Sequence, residues 1–84
     1  MRYLRDIPNP VHKISLYRWN GKYIIKFEAG GQYEQIYKLD ETEVASDEEI
    51  DVLVDELFLQ QVRDRFRAMH DDFTGALRRN GIIF

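Results

Sequence analysis

The dipeptide Asn20-Gly21 lies between two β-rich runs, 11–19 and 22–29, and it constrains this chain more than any other feature. A two-residue type I′ turn needs positive φ at both central positions, and Asn-Gly is among the pairs that adopt it most readily. A turn of that length also sets the register of the strands it joins. Trp19 then faces Lys22, Arg18 faces Tyr23, Tyr17 faces Ile24 and Leu16 faces Ile25. Further along, Ser15 faces Lys26, Ile14 faces Phe27 and Lys13 faces Glu28. One face of the hairpin collects Ile14, Leu16, Tyr23, Ile25 and Phe27, which reads as a core face. The other collects Tyr17, Trp19 and Ile24 among Lys13, Ser15, Lys22, Lys26 and Glu28. The opposed Lys13–Glu28 pair supports this register independently.

Gly30-Gly31 leads into a third strand ending near Leu39. Two registers are open to it. A two-residue turn places Ile36 on the core face, whereas a three-residue turn with a bulge places Tyr33, Tyr37 and Leu39 there. Three apolar side chains outweigh one, so the bulged turn is expected. Upstream, Pro8-Asn9-Pro10 disfavours both helix and ladder, and residues 1–10 read as an irregular entry segment.

Beyond an acidic connection, Ser46-Asp47-Glu48-Glu49 has the form of a capping box, with serine as N-cap and glutamate at N3. Helical periodicity runs on to Arg79, and Gly81 is placed to end it at C′. The apolar stripe changes direction on the way. Ile50, Leu53, Val54 and Leu57 form one row; Phe58, Leu59, Val62, Phe66, Met69, Phe73, Ala76 and Leu77 form another about a third of a turn away. One straight helix over 47–79 would run roughly 50 Å, against roughly 30 Å for strands of this length. The expectation is therefore a short helix near 47–54 and a long one near 56–79. Together these elements predict one α+β domain over residues 1–84. A three-stranded antiparallel meander over 11–39 is followed by a helical part over 46–80, with a short and a long helix packed on one face.

The totals agree with a folded domain: 44% hydrophobic, 13% aromatic and 32% charged residues, a share of core formers that disordered chains lack. A chain of 84 residues buries only roughly 60–65% of its unfolded surface, so its core is thin and self-association is expected. Charge is segregated. Residues 1–39 hold seven basic and three acidic side chains, 40–56 hold nine acids and no base, and 57–84 hold five arginines against three aspartates. The N-terminal residues show no apolar run of the signal-peptide kind, and no stretch approaches the ~20 apolar residues of a membrane span. A soluble cytoplasmic protein is the default.

Catalytic and metal chemistry find little footing. There is no cysteine, which excludes disulfides and thiolates. The only histidines are His12 and His70, and adjacent residues such as His70-Asp71-Asp72 diverge on a helix and cannot chelate together. Asp47, Asp51 and Asp55 share a helical face at i, i+4, i+8, which reads as a solvated face more readily than as a cation site. Neither a nucleophile elbow nor a phosphate-binding glycine loop is present. No enzyme, no metal and no cofactor is expected.

What remains is surface. Tyr17, Trp19, Lys22, Ile24 and Lys26 form one candidate interaction face on the hairpin. Leu59, Phe66 and Phe73, spaced like the seam of a helix pair, form a second on the long helix. Exposed apolar patches mark protein contacts, and Trp, Tyr and Arg are common anchors. The expectation is a non-enzymatic interaction module, a homodimer or a partner of another protein. The alternative is a single-stranded nucleic-acid binder that stacks bases on the aromatic and basic sheet face.

Overall fold

Asn20 and Gly21 both adopt positive φ, 56° and 74°, in the computed structural model, which describes residues 1–83. The strands they join, β2 (Lys13–Trp19) and β3 (Lys22–Ala29), pair in the register the turn dictates, with all seven opposed pairs from Trp19–Lys22 to Lys13–Glu28 in place. Ile14, Leu16, Tyr23, Ile25 and Phe27 are all buried on the core side. Strand β4 (Tyr33–Asp40) follows a three-residue loop, since Ala29 is opposed to Tyr33. Gly30 and Gly31 both take positive φ in that loop, a conformation glycine adopts without the Cβ clash of other residues. Tyr37 and Leu39 accordingly face Ile25 and Tyr23 on the core side, and Ile36 points the other way.

The sheet has four strands, not three. Residues 1–10 are not the irregular segment their prolines imply: Arg2–Ile7 form β1, an edge strand pairing antiparallel with β2 in a meander of order β1-β2-β3-β4. The register shifts between Tyr3 and Arg5, leaving Leu4 as the extra residue of a bulge. In a regular strand Leu4 and Ile7, three apart, would lie on opposite faces. The bulge lets both pack against the core. The prolines act only after the strand ends. There Asn9 Oδ1 accepts from the backbone N–H groups of Val11 and His12, each at 2.9 Å, and closes the turn into β2.

A short 3₁₀ turn (Glu41–Glu43) leads to α1 (Glu48–Leu53) and α2 (Glu56–Arg79). The helical stripe breaks where its change of direction requires. Val54 leaves helical conformation at φ −81°, ψ 68°, and Asp55 restarts the chain as N-cap of α2, accepting from Phe58 N at 2.8 Å. The N-cap of α1 is Asp47 rather than Ser46, with no side-chain cap bond. Glu49 still reaches back, its Oε1 accepting from Ala45 N at 3.2 Å. At the far end Gly81 has φ 70°, Ile82 N donates to Leu77 O and Gly81 N to Arg78 O, a Schellman ending.

Both helices lie on one face of the sheet. Ile50 and Val54 from the α1 end, and Val62 and Phe66 from α2, join the sheet residues in a single core. Phe58 supplies the aromatic centre, meeting Tyr37 at 5.0 Å and Phe27 at 5.6 Å edge to face. The molecule is elongated, 49 × 26 × 19 Å. At about 36 Å, α2 is longer than any strand beneath it.

Candidate interaction surface

The face of the sheet turned away from the helices carries the hairpin residues singled out from the sequence. Trp19 stands 55% exposed at its end. Tyr17 is half-buried, with the Tyr3 ring edge-on at 5.7 Å and Lys26 Nζ 5.6 Å above its own ring. Tyr3 in turn donates its hydroxyl to Asp6 Oδ1 at 2.8 Å, and that bond, more than burial, raises the phenol's pKa. Ile24 is not available to a partner: flanked by Tyr17 on β2 and Lys38 on β4, it is only 4% exposed. This face is also electrically balanced. Lys13, Lys22, Lys26 and Lys38 share it with Asp6, Glu28, Glu34 and Asp40, and Lys26 lies 3.9 Å from Glu34.

The seam on the long helix divides into core and surface. Phe66 is 6% exposed and packs at 5.5 Å from the His12 ring, so it is a core residue and not part of an interface. Leu59 is half-buried against the same core. Only Phe73 emerges: it is exposed and holds the Tyr33 ring edge-on at 6.3 Å. The reason is geometric. The first half of α2 lies over the sheet, whereas the second half has little sheet beneath it.

Two features escaped the sequence reading. The first is a cleft of about 500 Å³ where β4 passes the elbow between the helices. Leu39, Leu53, Leu57 and Phe58 line it, and Leu57 is 67% exposed. The stripe Ile50, Leu53, Val54, Leu57 reads as a single buried row. In the structure the break turns Ile50 and Val54 inward and leaves Leu53 and Leu57 outside. The second is Gln35, a buried polar side chain on the core face of β4. Its Nε2 donates to Val62 O of α2 at 2.9 Å, and its Oε1 accepts from the Tyr37 hydroxyl at 2.6 Å. The alternation of β4 places Gln35 on the core face, but nothing in the sequence names its partner.

The acidic row of α1 has a specific partner in place of bulk solvent. Arg5 of β1 donates to both carboxylate oxygens of Asp51, at 3.1 and 3.2 Å, and to the backbone carbonyl of Asp47 at 3.1 Å. Asp55 is taken up as the cap of α2. Among the described residues no group of three or more His, Asp or Glu side chains is arranged to hold a metal ion. No described helix is long and apolar enough to cross a membrane. His12 is buried with its Nε2 unpartnered; burial, and secondarily the charge of Arg63, lowers its pKa. His70 is hydrogen-bonded through Nδ1 to the Tyr33 hydroxyl at 3.1 Å, at the surface.

Comparison with protein-family models, with curated proteins and with solved structures finds no match to this chain.

Proposed function

We propose that this chain is a non-enzymatic protein-interaction module that self-associates as a homodimer. The observation that carries the proposal is the elbow cleft, where Leu53 and Leu57 stand exposed beside Leu39 and Phe58. An 84-residue chain with a thin core gains by burying apolar side chains, and a contiguous exposed group of them is the usual mark of a protein contact. The cleft lies along β4, an edge strand of the sheet. Single-stranded nucleic acid, the other partner class considered, would meet a sheet face with as many carboxylates as lysines.

The test is molar mass by size-exclusion chromatography with light scattering, over a concentration series at low and high salt. Self-association gives a mass of about 20 kDa, twice the 10.1 kDa chain. A mass that stays at 10.1 kDa into the high micromolar range rules out the homodimer.

A further inference from the structure

Every edge strand presents a row of backbone donors and acceptors with nothing to pair with. The two edges of this sheet differ sharply. β1 is six residues long, bulged at Leu4, and followed by Pro8 and Pro10. β4 is eight residues long, without proline, and keeps an unbroken register with β3 from Ala29–Tyr33 to Lys22–Asp40. Among the described residues no hydrogen bond from another part of the chain reaches the outward side of the β4 backbone between Glu34 and Leu39. Beside that edge runs a groove of about 460 Å³ bounded by Glu34, Ile36 and Tyr37 on the strand and by Arg65, Ala68 and Asp72 on α2.

We propose, resting on the self-association argued above, that two copies join edge to edge: β4 pairs antiparallel with β4 of the second copy about a two-fold axis at Ile36. In a symmetric antiparallel pair, opposed residues lie equally far on either side of the axis and point to the same face. With the axis at Ile36, Glu34 of each copy opposes Lys38 of the other, and the two Ile36 side chains, each 52% exposed in the single chain, cover one another. On the core face Tyr33 opposes Leu39 and Gln35 opposes Tyr37. Neighbouring axes fit worse. At Tyr37 the two-fold sets Glu34 against Asp40, and at Gln35 it sets Glu34 against Ile36.

The helix follows the strand across the two-fold. Tyr33 packs near His70 and Phe73, and Tyr37 packs on Phe58, so α2 runs antiparallel to β4. The two-fold therefore brings the two α2 helices past each other antiparallel. One axis relates strands and helices alike, so the stretch of α2 beside Ile36, between the Phe58 contact of Tyr37 and the His70 contact of Tyr33, faces its own copy across the interface. The opposition of Tyr33 to Leu39 also carries the second copy's Phe73 towards the elbow cleft where Leu53 and Leu57 stand exposed. Opposite charges across an interface fix register and reject other alignments.

The chain has no cysteine, so one introduced thiol reports one position. Opposed residues in an antiparallel pair have Cα atoms about 4.5–5.5 Å apart, within the range a disulfide spans. Under mild oxidation, Ile36→Cys is expected to form a disulfide-linked dimer rapidly. Trp19→Cys, exposed on the same face but two strands from the edge, is expected to remain monomeric on a non-reducing gel. In the native chain, Lys38→Glu is expected to weaken dimerisation about tenfold or more by setting like charges against Glu34 of the other copy, and Lys38→Glu with Glu34→Lys to restore it. If the wild-type chain is a dimer by light scattering yet Ile36→Cys links no faster than Trp19→Cys, self-association stands and this two-fold is overturned. A failure of the double variant to restore what the single one loses overturns the register about Ile36. A wild-type monomer at high micromolar concentration overturns the edge-to-edge dimer together with self-association.

Discussion

The guanidinium of Arg5 meets the carboxylate of Asp51 fork to fork, Nη1 to Oδ1 at 3.1 Å and Nη2 to Oδ2 at 3.2 Å. The same Nη2 donates to Asp47 O, so one side chain ties the first strand to the first helix, more than forty positions along the chain. Both partners are partly exposed, which puts the pair in the range of surface ion pairs. Arg5→Ala is expected to lower stability by about 1 kcal/mol, and a double-mutant cycle with Asp51→Ala to show a coupling of about 0.5 kcal/mol. Urea unfolding at low and high salt checks both, with the coupling shrinking as salt rises.

Gln35 is a stricter case because it is buried. Its amide donates to Val62 O and its carbonyl accepts from Tyr37. Gln35→Ala removes the donor to the helix, leaves the Tyr37 hydroxyl unpaired and opens a void; a loss of about 2–3 kcal/mol is expected. Tyr37→Phe leaves only the Gln35 carbonyl without its partner and should cost about 1–2 kcal/mol. The midpoints of urea unfolding for the two variants test the order as well as the size.

His12 makes stability depend on pH in a stated direction. Its pKa is lowered in the fold by burial, so the folded form resists a proton that the unfolded chain accepts. The stabilisation is complete above the unfolded histidine's pKa, about 6.5, and is lost as pH falls through the lower folded value. His12→Phe keeps the packing against Phe66 and removes the unpartnered Nε2. Between pH 8 and 5 the wild-type unfolding midpoint should decline, and the decline should be shallower in His12→Phe. Equal slopes would assign the dependence to other groups.

Trp19 reports on nucleic acid directly. Stacking of a base on an exposed indole is worth about 1–3 kcal/mol and quenches its fluorescence. The balanced charge of the outer sheet face provides no phosphate-binding groove to support that stacking. Adding a single-stranded oligonucleotide at low salt is therefore expected to leave Trp19 emission unchanged. Quenching that salt reverses would reinstate the nucleic-acid alternative.

Local rules carried the hairpin, the loop at Gly30-Gly31 and the division into two helices, because each depends on residues close together in the chain. Asn20-Gly21 determines a turn and the turn a register; the offset between the Ile50 and Val62 stripes requires a break near Val54. Strand β1 escaped those rules for an equally local reason. Its bulge breaks the period-two pattern, so Leu4 and Ile7 do not read as one face. With β1 missing, the basic partner of Asp47 and Asp51 was missing as well, and their row read as solvated. Strand alternation for Ile24 and helical spacing for Phe66 rank residues by face and say nothing of how closely neighbours crowd them, and both side chains are buried. The elbow cleft lay beyond reach because it is a product of the break: Leu53 and Leu57 belong to the same stripe as Ile50 and Val54 until the helix ends between them.

The bulge at Leu4 also bears on arithmetic. A sheet with two open edges can grow at both ends, and copies added in that way make a filament of no defined length. Here one edge is kinked and followed by prolines, while the other is straight. A second copy added at β4 consumes the growing edge of both molecules at once, and what remains on the outside is two bulged strands. In the proposed dimer, assembly through β4 would therefore stop at two, its stoichiometry set by the bulge and prolines at the opposite side of the sheet.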